Sequence, residues 1–228
     1  MKNYLLDAQL PQLLATAGID SGEALRLAQL PEDLFGRAEP VLTGAEYLRL
    51  MEAIGELAPA DGFAVTLATA DGIEQFSPPI FAAYCSPNGA ACIERLAKLK
   101  PLIGPVRYRL ESLGPEATLH IEGEEPGTQL PAFVAEGELA FILHVMRSAT
   151  KRHITPLQVE AAHPVSGALT ELVGVPAAVT GINAVTFTAE DLQVPFISRN
   201  EAMWSYFEPE LRRRLSQLEV DDSVSARV

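Results

Sequence analysis

Glu138 is the ionisable side chain whose surroundings in sequence demand the most explanation. It lies in a run from Ala132 to Ala149 that is apolar almost all round, with Val134, Phe141, Val145 and Ala149 at helical spacing about it. An unpaired carboxylate buried there costs on the order of several kcal/mol. It therefore requires a partner, either an Arg or Lys of the protein or the polar end of a ligand. A second group of candidates is Arg107 and Arg109, which alternate with apolar residues and face Thr118 and His120 across an expected hairpin. Guanidinium groups in such a recess would hold an acidic ligand through charge-assisted hydrogen bonds, and a solvated sheet face is the other reading. Arg147 and Tyr84 join these candidates on similar grounds.

Catalytic signatures do not emerge from the remaining reactive residues. The four histidines, His120, His144, His153 and His163, are scattered without a His-x-x-x-His pair, so no metal is expected. His163, ahead of Pro164, reads as structural. Cys85 and Cys92 lie seven apart with no His or Asp at ligand spacing, which fits a reduced cytosolic protein better than a zinc or disulfide site. Neither Gly-x-Ser-x-Gly nor a Gly-rich phosphate loop is present, leaving a nucleophilic or nucleotide-dependent mechanism without a candidate. An enzyme using Glu138 or His144 as acid or base is the catalytic alternative; the expectation is no enzyme and no cofactor. Arg212, Arg213 and Arg214 form a basic run on the last expected helix, read as a solvated or interface face.

Composition narrows the class further. The 228 residues are 48% hydrophobic, enough for one substantial core. The net charge of −13 opposes nucleic-acid binding by this polypeptide itself, because phosphate recognition needs clustered Lys and Arg. No stretch approaches the roughly 20 apolar residues of a membrane helix, and the N-terminus lacks a secretory apolar core. A cytoplasmic protein without membrane contact is expected.

The elements that would position these residues follow from periodicity and caps. Leu5, Leu6, Leu10, Leu13 and Leu14 predict a first helix ending at Gly18, and a second is expected from Ser21 with Leu25 and Leu27 inward. Thr43 with Glu46 reads as a capping box for a helix carrying Tyr47, Leu48, Met51, Ile54 and Leu57. The segment Asp71–Pro79 reads as a loop, and Ser86-Pro87 as a helix start whose apolar face holds Cys92, Ile93, Leu96 and Leu99, with Arg95, Lys98 and Lys100 pointing elsewhere. Period-two alternation about Gly114-Pro115 predicts a hairpin of Val106–Glu111 and Thr118–Glu122. Pro131 precedes the long apolar helix. Further strands are expected at Leu157 to Ala161, at Val179 and over Val185–Phe187. A last helix from about Asn200 to Leu218 carries Trp204, Tyr206 and Phe207, candidate interface residues. The fold class is α+β with an antiparallel sheet, in one domain over 1–218 followed by a linker-like tail, 219–228.

The order AGID, EYLRLMEAIGEL, DGFAVTLA, SPNGAACIERLAKL, a hairpin, AEGELAFIL and then HP, VGVPAAV, NAVTF and DLQVPF resembles the N-terminal arabinose-binding-type domain of AraC-family transcription regulators over nearly the whole chain. That family continues into two helix-turn-helix motifs, so the chain reads as the sensory half of a bacterial regulator, stopping short of its DNA-binding domain. The resemblance implies an effector-binding or dimerisation domain, with a small-molecule effector of open class, a homodimer, and DNA contacted only through the other domain. A dimerisation or interaction module without an effector is the alternative function, and the cupin-type barrel the alternative fold.

Overall fold

The computed structural model describes residues 2–58, 60–70 and 77–225, with side chains described as far as residue 218. The fold is α+β. Its N-terminal third begins with strand β1 (Asn3–Leu5), helices α1 (Leu10–Thr16) and α2 (Ser21–Leu27), and strand β2 (Val41–Thr43), which pairs antiparallel with β1. Leu5, expected to open the first helix, thus ends a strand instead, and the helix starts only at Leu10. Leu5 points to solvent and Leu6 enters the core, a two-sided alternation that the leucine spacing disguised. Leu27 is exposed as well, because two residues along a helix place side chains on different faces.

Helix α3 (Gly44–Leu57) starts at the expected capping box: Thr43 Oγ1 accepts from Glu46 N–H while Glu46 accepts from Thr43 N–H. Helices α4 (Phe63–Ala68), α5 (Pro78–Tyr84) and α6 (Gly89–Leu99) follow. Of the expected loop, 71–76 lie outside the described residues, and Pro78-Pro79 open α5 under a Ser77 cap. The cap of α6 is Asn88, whose side chain accepts from Ala91 N–H; Ser86 is buried and accepts from Arg95 instead.

A five-stranded sheet then runs in the order β3 (Val106–Leu113), β4 (Glu116–Gly123), β7 (Asn183–Thr188), β5 (Gln158–Ala161), β6 (Ala177–Val179). All pairs are antiparallel except β5 with β6. Gly114, at φ +61°, closes the β3–β4 hairpin in a left-handed conformation that a side chain would strain. Leu157 stands just outside β5 and is exposed. Against one sheet face lies α7 (Ala132–Thr150), whose Leu139, Ile142, Leu143 and Met146 are buried with Leu119, Ile121, Val185 and Phe187 of the sheet. Helices α8 (Gly167–Val173) and α9 (Ala189–Gln193) complete this main core, and a smaller core joins α1, α2 and α3. The last helix, α10 (Glu201–Ser225), runs on past Leu218, where the sequence reading ended it. Among the described residues, no helix is long and apolar enough to cross a membrane.

Candidate functional site

The two cores meet along α3, where Tyr47 and Met51 pack against both. At that junction α3, α4, α7 and the turn after α6 border a half-open cavity of about 160 Å³, walled by Met51, Ala64, Leu67, Ile103, Val106 and Phe133 and floored by Tyr47, Lys100 and Glu138. Pockets form preferentially where such units abut.

Glu138 reaches the floor from α7 and finds its partner in Lys100. The ammonium donates to both carboxylate oxygens, at 2.6 and 2.5 Å, and the Tyr108 hydroxyl donates to Oε2. Lys100 Nζ also lies 4.5 Å from the centre of the Tyr108 ring and 5.7 Å from that of Phe141, so aromatic faces add to the stabilisation of its charge. Lys100 is only 3% exposed. Sequence reasoning placed it on the polar side of α6 with Arg95 and Lys98. It turns inward because the α-helix stops at Leu99 and Lys100–Leu102 form a 3-10 turn with Pro101 at its centre, which breaks the helical phase. The signal present in sequence was the pairing demand of Glu138 together with a Lys-Pro dipeptide ending a helix.

Tyr47 at the floor and Tyr108, bonded to Glu138, are both held neutral. Burial, and then the Glu138 charge, pushes the Tyr108 phenol well above its ordinary range, and the same causes push Tyr47 up to about 12. The Tyr47 ring is tilted against Tyr4, 6.1 Å between centres, and its hydroxyl end lies over Gly104, where an added Cβ would come within 3.4 Å of the oxygen. Among the described residues, no protein group hydrogen-bonds to the Tyr47 hydroxyl.

The other sequence candidates are dispersed. Arg107, Arg109 and His120 share a separate recess on the opposite face of the hairpin, bounded also by Glu122 and Asn183, of about 480 Å³. The two guanidinium charges are largely satisfied there: Arg107 and Arg109 pair with Glu122 and Arg109 also with Glu111, while His120 Nε2 lies 3.5 Å from Glu111 Oε2. Arg107 holds the Glu122 carboxyl below its usual range. Arg147 ties the end of α7 to neighbouring chain, donating to the carbonyls of Ile154 and Leu172 at 2.8 Å each. Tyr84 packs its ring against the main core while its carbonyl accepts from Ser198. His163 binds the Leu130 carbonyl through Nε2 at 3.2 Å.

Trp204 and Phe207 fold back onto their own chain. Together with Leu211 they cover Ala82, Leu99 and Leu102, with Arg95 stacked 3.8 Å over the Trp204 ring and Phe81 edge-on to Phe207. Tyr206 points outward, 76% exposed. Arg212, Arg213 and Arg214 pair with Glu208 and Glu210 of the same helix.

A crystal structure of the transcriptional regulator CdpR from Pseudomonas aeruginosa is similar to this chain, with a TM-score of 0.62 over 92% of it at 13% identity. This chain spans 64% of that one, and at such identity the likeness shows the fold alone. No curated protein matches the sequence. The family model of the arabinose-binding domain of AraC transcription regulators, N-terminal, matches residues 18–196, most of the chain. The chain belongs to that family of N-terminal regulatory domains.

Proposed function

We propose that the domain senses a small-molecule effector in the cavity above Lys100 and Glu138, and that occupancy is passed to α10 and so to DNA binding by a further domain. The observation that carries this reading is the buried Lys100–Glu138–Tyr108 cluster opening onto an otherwise apolar cavity. A purely structural ion pair gains nothing from facing empty space. A route outward exists as well. Lys100 faces the cavity, while Leu99 before it and Leu102 after it pack against Trp204, Phe207 and Leu211. A ligand that moves this turn biases the seating of α10, which is the coupling that effector control requires.

The reading is non-catalytic and cytoplasmic. Both Glu138 oxygens are engaged by Lys100, and the free, buried cysteines Cys85 and Cys92 suit a reducing compartment. Self-association through α10 is the second part, supported by the outward Tyr206 beside a helix face already ordered by Trp204 and Phe207. Thermal unfolding against a panel of alcohols, acids, amino acids and sugars tests the site. A ligand at ~100 times its dissociation constant adds about 2.7 kcal/mol, and the shift is expected to vanish when Leu67→Phe fills the cavity. A shift that persists undiminished in Leu67→Phe places the effector elsewhere.

A further inference from the structure

From the chemistry of the cavity floor, and resting on the assignment of the cavity as the effector site, we infer that the ligand is a compact, uncharged molecule with an apolar body and one hydroxyl or carbonyl group, seated with that group at Tyr47. The volume sets the size of the part that is walled in: about 160 Å³ in a half-open pocket has room for a ring such as benzene, which a closed apolar cavity of roughly 150 Å³ admits. Charge balance sets the class. The one cation and one anion at the floor already neutralise each other through two hydrogen bonds, so a carboxylate or ammonium ligand would bring an unmatched charge against walls that are mostly apolar.

Hydrogen-bonding capacity sets the number of polar groups. Tyr108 spends its only donor and Lys100 two of its three on Glu138, whereas the Tyr47 hydroxyl has no protein partner among the described residues and stands at the cavity edge beside Gly104. Held neutral, it can donate to one ligand oxygen and accept from one ligand hydroxyl. A pentose would press several further hydroxyls against Met51, Leu67, Ile103 and Phe133, none of which offers a side-chain partner. The sugar in the family's description is therefore a poor fit to this chain.

Cyclohexanol, cyclohexane carboxylate, cyclohexylamine and L-arabinose, titrated calorimetrically into the protein, separate these classes. The expected result is saturable binding of cyclohexanol at millimolar concentration or tighter, at least tenfold weaker binding of the two charged analogues and the sugar, and loss of cyclohexanol binding in Leu67→Phe. Tyr47→Phe is expected to weaken cyclohexanol about tenfold, the effect of one hydrogen bond. No saturable binding of cyclohexanol overturns the inferred class. Tighter binding of a charged analogue or of arabinose, abolished by Leu67→Phe, also overturns the class but leaves the site standing. Binding of any probe undiminished in both Leu67→Phe and Ala64→Leu overturns the site itself.

Discussion

Replacing Lys100 by methionine tests the buried cluster most severely. The side chains of Lys100 and Glu138 are 4% and 17% exposed, so the substitution keeps most of the packed volume while leaving a carboxylate held by the Tyr108 hydroxyl alone. Breaking one side of a buried pair costs about 3–5 kcal/mol. Glu138 borders the cavity and reaches some water, which puts Lys100→Met near the low end, about 3 kcal/mol. The triple variant Lys100→Met, Glu138→Leu, Tyr108→Phe removes every polar partner at once, and apolar replacement of a buried pair is commonly neutral or stabilising. It is expected within about 1 kcal/mol of the parent, or above it, so the substitutions couple strongly instead of adding. Urea unfolding followed by circular dichroism and by Trp204 emission reads both values and checks that the two probes coincide. A Lys100→Met cost below about 1 kcal/mol, or a triple variant losing the sum of its parts, would refute the burial argument.

Thr43→Ala should remove about 1 kcal/mol at neutral pH, as loss of an N-cap does. Hydrogen bonds from Thr43 hold the Glu46 carboxyl below its ordinary value, so this contribution is present above the unfolded carboxylate pKa and shrinks as pH falls through the folded one. Acid titration of both proteins should show the difference narrowing. In alkali the sign reverses: Tyr47, raised to about 12, contributes fully below the unfolded tyrosine pKa of about 10. Tyr47 should then contribute a fall of up to about 1.4 kcal/mol per pH unit as pH rises from that value towards the folded one, beside the falls from Tyr108 and Cys92, which are raised by the same burial, and Tyr47→Phe should remove its share of the decline. Arg107→Ala should change stability by less than about 1 kcal/mol, because its pair with Glu122 is half exposed; a larger loss in thermal unfolding would show that the hairpin face carries more than solvated charge. Tyr206→Asp should lower the self-association seen in sedimentation and leave the unfolding midpoint unchanged at protein concentrations where the parent is monomeric.

Elements with a local chemical cause were legible in the sequence. The Thr43–Glu46 box, the Gly114 turn, the alternation of β3 and β4 and the apolar α7 each follow from residues close in sequence. Errors fell where tertiary pairing overrode periodicity: Leu5 is drawn into a strand by residues 41–43, and Lys100 is turned inward by the break at Pro101. For the site, the need of Glu138 for a cationic partner was readable, but the identity of that partner was not. The contact joins residues 38 apart across a helix, a turn and two strands, and the Lys100-Pro101 dipeptide marks a helix break without saying which carboxylate the lysine meets. Tyr47 was visible only as a core residue of α3, since its role depends on the empty space beside it.

Trp204 is the chain's single tryptophan, and it sits on α10 against the side of the Lys100–Leu102 turn that faces away from the cavity. Titrating cyclohexanol while following its emission tests in one experiment that the cavity binds and that α10 responds. The expected result is a saturable change with the calorimetric dissociation constant, absent in Leu67→Phe. Calorimetric binding with no change in Trp204 emission would contradict the proposed route from the cavity to the last helix.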